Sequence, residues 1–263
     1  MKKLLLLLLV IISINSFSQG QFERKKSFVI VPFYPNLYFN DLSRIWYKSG
    51  ETKSQDQQVR DISQKILQLI GDSLSRNYDV FDLNDVPSTY SDVDYLSELY
   101  KITGYAYHDT LPQRELSKKE NLKKRFAKLK KKDRSSMGEL REKNEKRKYQ
   151  FFNVNIKDKI KFRKITKDLD CHYILFINQV EVKGDFSSPY YNGNERPYKI
   201  MIHYSIFNKT GQLIVGNKTS VTTTDRKAHY PYFINHEIPR AVLQIIQNIY
   251  KNLNLEQLTD SKK

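Results

Sequence analysis

The net positive charge of this chain lies in one segment, and this concentration limits which residues can form a core. Residues 118–164 contain 20 Lys and Arg but only 6 Asp and Glu, a net charge of +14. Without Lys2 and Lys3, the whole chain has 43 basic and 29 acidic residues, again a net charge of +14. Everything outside the segment therefore sums to zero. The sequence predicts a neutral folded domain that carries one basic region.

The first 18 residues predict export. A basic start at Lys2 and Lys3 is followed by an unbroken apolar run over residues 4–12, and Ser16 and Ser18 are the small residues that a signal peptidase reads. The run is shorter than the roughly 20 apolar residues that cross a membrane. We therefore expect residues 1–18 to be a cleaved signal peptide, with an uncleaved anchor as the alternative. No cysteine lies near the cleavage point, so no lipoprotein anchor is expected, and the predicted location is the periplasm or outer envelope.

Residues 19–263 are predicted to form a single α/β domain, a small mixed sheet with amphipathic helices packed on it. Alternating or continuous apolar residues indicate strands, and apolar residues three or four apart indicate helices. The predicted strands are residues 27–33, 78–83, 173–182, 198–208 and 213–222. The predicted helices are residues 55–76, 156–170 and 238–253, with a weaker helical turn at 95–100. Lys209-Thr210-Gly211 predicts the tight turn of a β-hairpin.

Residues 118–155 are predicted to be a basic, helical insertion in this domain. Within 118–148 only a thin apolar stripe separates the charged residues, and several glutamates are spaced for helical pairs with lysine or arginine. A composition this poor in apolar residues also favours partial disorder. Ile156, Ile160 and Ile165 are expected to begin the core helix that follows.

Eight basic residues of the insertion are the candidate polyanion-binding residues: Lys123, Lys124, Arg125, Lys128, Lys130, Lys131, Lys132 and Arg134. In an exported protein the expected anionic partners are lipid headgroups, lipopolysaccharide phosphates and acidic glycans, with nucleic acid disfavoured. The alternative is a solvated arm that only keeps the chain soluble, because runs of charge are usually exposed faces.

The sequence motivates no catalytic residue, metal site or cofactor. The five histidines include no HExxH pair, and no P-loop, GxGxxG or GxSxG motif occurs. Cys171 is the only cysteine and stands at the head of an apolar strand, where a buried thiol is expected. We therefore expect a non-enzymatic protein.

The alternative function is an envelope hydrolase with a site built from loops. His229 or His236 would have to converge with Glu181 or Asp185 in a deep pocket, because acid–base catalysis requires such convergence. Aromatic residues leave a similar choice between lining a ligand groove and packing over the core. These residues form two groups, one beside the first strand (Tyr34, Tyr38, Phe39, Trp46 and Tyr47) and one before the hairpin (Tyr190, Tyr191 and Tyr198).

The order of elements and four phrases carry a family resemblance. The phrases are residues 29–33, ending in Pro-Phe, and residues 78–81, 170–175 and 209–213, the last with a Thr-Gly turn. They resemble the small α/β fold shared by the curli-secretion channel family, the lipoprotein activators of penicillin-binding proteins and the N-terminal domain of the periplasmic Tol translocation protein. The resemblance covers residues 27–83 and 156–253. Cys171-His172 departs from it, since that pattern has Ala-Asp here.

Three further phrases, residues 32–38, 177–182 and 203–207, resemble a group of exported, uncharacterised proteins of Bacteroidetes-type bacteria. Together the resemblances imply an envelope location and a binding or assembly module. We therefore expect an exported envelope protein that binds another envelope component and whose basic arm contacts anionic surfaces.

Overall fold

The computed structural model describes residues 25–42, 53–83, 94–109, 150–184, 197–223 and 230–260. The predicted signal peptide and the eight candidate polyanion-binding residues lie outside these ranges. The described residues form an α/β fold in which helices pack on a mixed sheet, and this confirms the predicted fold class.

The bounds of the strands and helices are as follows. The strands are β1 (Ser27–Val31), β2 (Tyr38–Asn40), β3 (Asp79–Asp82), β4 (Thr103–Asp109), β5 (Gln150–Ile156), β6 (Tyr173–Gly184), β7 (Tyr198–Asn208) and β8 (Leu213–Thr223). The helices are α1 (Gln55–Leu74), α2 (Tyr95–Ile102), α3 (Lys159–Asp168) and α4 (Ile238–Asp260). A π-helical turn, Phe233–Glu237, leads directly into α4.

Strand β6 is the centre of the main sheet. The strand order is β3-β1-β6-β7-β8, and β2 pairs with the same edge of β6 as β1 but further along it. β1 is parallel to both β3 and β6, while β6, β7 and β8 form an antiparallel meander. Strands β4 and β5 form a separate two-stranded antiparallel ribbon.

Two apolar cores lie on opposite faces of the main sheet. The first core packs α1 and α4 against side chains such as Leu175, Ile177 and Ile202. The second core packs α2, α3 and the ribbon against side chains such as Ile174 and Phe176. Adjacent residues of a strand point to opposite faces, so the continuous apolar run in β6 supplies both cores.

Three helices, α1 to α3, begin where a short polar side chain caps the first turn. Ser54 and Gln57 form a reciprocal capping box at α1, with Ser54 Oγ accepting from the Gln57 N–H at 3.3 Å. Asp94 and Asp158 cap α2 and α3 through their carboxylates, each accepting from the backbone N–H three residues later. These caps fix the starts of α1, α2 and α3.

The basic insertion ends earlier than its predicted boundary at residue 155. Gln150–Ile156 is a strand, and Ile156 pairs with Thr103 instead of beginning a helix. Because α3 starts only after Asp158, its buried face consists of Phe162, Ile165 and Thr166. Ile160 then points away from the core and is 84% exposed, so its predicted place on the buried face was wrong.

The predicted hairpin and the buried thiol are confirmed. β7 and β8 pair from Tyr198 opposite Thr223 to Phe207 opposite Leu213, and Gly211 takes a positive φ of 79° in the turn. Asn208 Oδ1 stabilises this turn by accepting from the N–H groups of Thr210 and Gln212, both at 3.0 Å. Cys171 is buried in the second core, where burial raises its pKa to about 12. A thiol in this state is a poor nucleophile.

The ribbon packs closely on the sheet at Gly216. A methyl group added to Gly216 would lie 2.3 Å from Cζ of the buried Phe151 ring, far inside van der Waals contact. We therefore expect Gly216→Ala to lower the free energy of unfolding by about 1–3 kcal/mol, because the ring must move. Urea denaturation followed by circular dichroism measures this change.

Gly71 provides the matched control for this substitution. It lies inside α1, and a methyl group there would meet no atom within 4 Å. Gly71→Ala should raise the free energy of unfolding by about 0.5–1 kcal/mol, since alanine favours the helix. Equal effects of the two substitutions would contradict the close packing of Phe151 on Gly216.

Candidate anion-binding surface

The two strands of the ribbon stand on either side of a basic stretch of the sequence. Asp109 at the end of β4 is the cross-strand partner of Gln150 at the start of β5. Residues 110–149, hereafter the connecting segment, therefore link two paired positions of a hairpin. They include 16 Lys and Arg against 6 Asp and Glu, a net charge of +10. All eight candidate polyanion-binding residues belong to this segment.

Side chains of the sheet hold the ribbon through the backbone of Phe152. The Phe152 N–H donates to Nδ1 of His203 at 2.8 Å, and its carbonyl oxygen accepts from Nδ2 of Asn178 at 2.7 Å. Ser205 adds a hydroxyl hydrogen bond to Oδ1 of Asn153. All three sheet side chains are buried, so these bonds are shielded from competing water. The end of the ribbon next to the connecting segment is thus fixed to the sheet.

A register shift in β6 brings these groups under the ribbon. The pairing of β6 with β7 shifts between Ile177 and Gln179, which leaves Asn178 as an extra residue. Ile177 lies in the first core, and so does Val180. Asn178 and Gln179 therefore share the opposite face, and the alternation continues with Glu181 on that same face.

Glu181 and His203 form a buried polar pair on this face. Nε2 of His203 lies 3.3 Å from Oε1 of Glu181, and both side chains are about 95% buried or more. Nε2 of Gln179 also donates to Oε1 at 2.7 Å, and Lys183 forms an ion pair with Oε2. The carboxylate is thereby held from three sides.

The hydrogen bond from Phe152 fixes the protonation state of His203. Since Nδ1 accepts a backbone N–H, the ring proton of the neutral imidazole is on Nε2, which faces Glu181. Burial lowers the pKa of His203, although the Glu181 carboxylate acts in the opposite direction. Burial would raise the pKa of Glu181, but its contacts with His203 and Lys183 outweigh this and lower it to about 2. The favoured state is a neutral imidazole beside an ionised carboxylate.

Three lysines near this pair form what we call the lysine cluster: Lys183, Lys199 and Lys218. Lys183 and Lys199 are directly opposite each other on β6 and β7, and Lys218 on β8 is directly opposite His203. Burial lowers the pKa of Lys218, and so do the charges of Lys199 and Lys183, with Glu181 opposing them. Like charges placed across a strand pair repel. The lysine cluster is therefore a local positive potential beside the ribbon.

Glu181 and His236, the two described residues of the alternative hydrolase site, lie on opposite sides of the sheet. Glu181 faces the ribbon, whereas His236 belongs to the π-helical turn on the other side of the sheet. His236 is exposed and stacks on Tyr232, with ring centroids 4.4 Å apart. His229 and Asp185 lie outside the described residues.

Ser27 and His172 are close together but are not arranged as a nucleophile and base. Ser27 Oγ lies 3.0 Å from Nδ1 of His172, yet the hydroxyl donates to the carbonyl oxygen of Asp170. The backbone N–H of Ser27 also points to Nδ1, at 3.3 Å. Ser27 is buried. The contact therefore joins the start of β1 to that of β6.

The two aromatic groups divide between core and surface. Tyr38 and Tyr198 are buried in the first core, as the packing alternative predicted. Tyr34 lines a cleft, and Phe39 is 48% exposed. The remaining members, Trp46, Tyr47, Tyr190 and Tyr191, lie outside the described residues.

Sequence reasoning missed the contact between Glu181 and His203. The alternation of Ile200, Ile202, Tyr204 and Ile206 already placed His203 on the opposite face of β7. The extra residue at Asn178 could not be read from the alternation in β6, so the facing position of Glu181 stayed hidden.

No protein-family model and no curated protein matches this chain. The family resemblance therefore stays a prediction. Among the helices of the described ranges, none is both long and apolar enough to span a membrane. Those same ranges contain no group of three or more His, Cys, Asp or Glu side chains placed to hold a metal ion.

The stability of the protein should fall on mild acidification because of His203. Its pKa is lower in the folded chain than the ordinary value of 6.5, so the unfolded chain binds this proton more readily. Stability from this group is therefore complete above pH 6.5, declines as the pH falls below it, and levels off below the folded pKa. Thermal unfolding measured between pH 7.5 and 5, in steps of about 0.5 pH units, would give this slope.

His203→Gln should flatten this part of the pH profile, because it removes the titrating group. His236→Gln is the matched control, since His236 is exposed and distant from the ribbon. An unchanged slope in His203→Gln would contradict the assignment. The contribution of Glu181 is separate, because its stabilising effect is lost only below pH 4.5, as the pH falls toward about 2.

Proposed function

We propose that this protein is an exported, non-enzymatic binding protein of the cell envelope that presents its connecting segment to an anionic surface. The observation that carries the proposal is the pairing of Asp109 with Gln150. It makes a segment of net charge +10 the connection of a hairpin whose backbone is anchored in the sheet.

The anchoring favours binding over a merely solubilising role. A flexible tail would supply charge without a fixed position, whereas the ribbon fixes both ends of this segment relative to the domain. The lysine cluster adds fixed positive charge nearby, because Lys218 is opposite the histidine that holds Phe152. Positive charge from the segment and from the sheet would thus act on the same anionic partner.

An envelope location supports lipid headgroups, lipopolysaccharide phosphates or acidic glycans as this partner. The location rests on the signal-like residues 1–18. The relatives suggested by the resemblance, binding and assembly modules, are consistent with the same function. Another envelope protein remains part of the proposal as a second partner, to be identified by affinity capture from envelope fractions.

The mature protein should bind vesicles that contain phosphatidylglycerol at low salt and release them near roughly 0.5 M salt, because screening shortens the range of its charges. Co-sedimentation with vesicles over a salt series measures this. The control is the full chain with the eight candidate residues from Lys123 to Arg134 changed to Gln. Equal binding by this variant, or binding that ignores salt, would show that the electrostatic role is wrong.

Replacing residues 110–149 with Asn-Gly should leave the domain folded, because this turn can join two paired strand ends. The variant should keep the circular dichroism spectrum and the cooperative unfolding of the full chain but lose vesicle binding. Loss of folding would mean that the connecting segment is part of the core. Retained vesicle binding would place the anionic contact elsewhere.

A further inference from the structure

A cleft of about 520 Å³ lies beside the second core, on a different part of the surface from the lysine cluster. Its walls come from three elements: the loop after β1, helix α2 and the start of β4. Tyr34, Tyr100 and Tyr105 each contribute a ring to the lining, and Asp94 and Lys101 contribute charged groups. The volume falls within the range of small-molecule sites.

The three rings are held in place. Tyr34 and Tyr100 meet almost at right angles, with centroids 5.2 Å apart and an interplanar angle of 83°. The Tyr100 hydroxyl donates to the carbonyl oxygen of Pro32 at 2.8 Å. Tyr105 stacks against Phe152 of β5, with centroids 5.4 Å apart. Two perpendicular rings and a third nearby form the corner of an aromatic cage.

Asp94 supplies the carboxylate of the cleft lining. Burial raises the pKa of Tyr100, and the nearby Tyr105, Tyr34, Asp82 and Asp94 raise it further. The two carboxylates are therefore close enough to act on the hydroxyl at the cleft. Lys101 is the opposing charge, and its ammonium group lies 2.9 Å from Oε1 of Glu98.

We propose that this cleft binds a quaternary ammonium group. Aromatic faces attract a cation within about 6 Å of the ring centroid, and tyrosine cages recognise methylated ammonium ions in this way. A quaternary ammonium has no N–H to satisfy, so it can contact the faces of aromatic rings without losing a hydrogen bond. A primary ammonium would have to give up hydrogen bonds with water at the same walls.

This proposal is independent of the anionic contact. The connecting segment and the lysine cluster attract negative charge, whereas the cleft attracts a cation. The cleft requires only the ammonium group of a ligand, so the two contacts can be tested separately.

Titration of the full chain with choline tests the proposal. The comparison ligand is the uncharged carbon isostere of choline, in which a tert-butyl group replaces the trimethylammonium group. Calorimetry should show saturable choline binding and binding of the isostere at least about tenfold weaker, because the isostere has the same shape without the cation–ring attraction. Equal affinities, or no saturable choline binding up to about 100 mM, would overturn the proposal.

Substitutions at Tyr34 separate the ring from the hydroxyl. Tyr34→Phe should keep choline binding, and Tyr34→Ala should weaken it by about tenfold, because only the second removes an aromatic wall. Tyr34 is 43% exposed, so neither change empties a core position. Tyr107→Ala is the matched control, since Tyr107 is 41% exposed on the same ribbon and does not line the cleft. An equal loss in Tyr107→Ala would overturn the proposal.

Asp94→Asn tests the charge without removing the helix cap, because asparagine caps helices as well as aspartate does. This substitution should weaken the binding of choline severalfold and leave the affinity for the isostere unchanged. An unchanged choline affinity would overturn the role of Asp94 in the cleft.

A second experiment, with lipid vesicles, tells a lipid headgroup from a soluble ligand as the source of the ammonium group. Binding to phosphatidylcholine vesicles that is lost in Tyr34→Ala would identify a lipid headgroup, and binding of free choline alone would identify a soluble ligand. Either result supports the cleft as a quaternary ammonium site. The variant with Gln at the eight candidate residues should bind choline normally, so failure of the anionic contact and failure of the cleft can be told apart.

Discussion

The packing of the ribbon on the main sheet, and with it the second core, depends on two hydrogen bonds to the backbone of Phe152. A two-stranded ribbon is marginally stable by itself in water and needs a surface to pack on. Here the ribbon lies across the sheet, so it cannot extend the strand ladder. Side chains replace the ladder instead, with Asn178 donating to the Phe152 carbonyl and His203 accepting from its N–H. The second core closes around this contact, with Val154 and Ile156 of β5 packed beside α3.

The register shift at Asn178 allows one face of β6 to serve two purposes. Before the shift, Ile174 and Phe176 face the second core and supply apolar surface. After it, Glu181 faces the same side and supplies charge. Without the extra residue, the alternation would carry Glu181 into the first core, where it would face α1 and α4. The shift therefore preserves an apolar first core while it creates a polar zone under the ribbon.

The parts of the fold that the sequence predicted are those whose pattern is local. The hairpin of β7 and β8 and helix α1 follow from alternation, helical spacing and caps within a few residues. The ribbon was missed because its strands are 40 residues apart, from Asp109 to Gln150, and pairing over that distance leaves no local signal. The contact of Glu181 with His203 was missed for a related reason. It depends on one extra residue in β6 and on a ribbon whose existence was itself unpredicted.

The same pair of side chains links the anchoring of the ribbon to the charge of the surface. His203 can accept from Phe152 only while it is neutral at Nδ1, and a neutral imidazole leaves Glu181 to balance the nearby lysines. Protonation of His203 would both break the bond to the ribbon and add a fourth positive charge beside Lys218. Loss of the Glu181 carboxylate would remove the ion pair with Lys183 and the negative charge that acts on Lys218. The anchoring of the ribbon and the charge on the sheet beside it therefore both depend on the protonation state of His203.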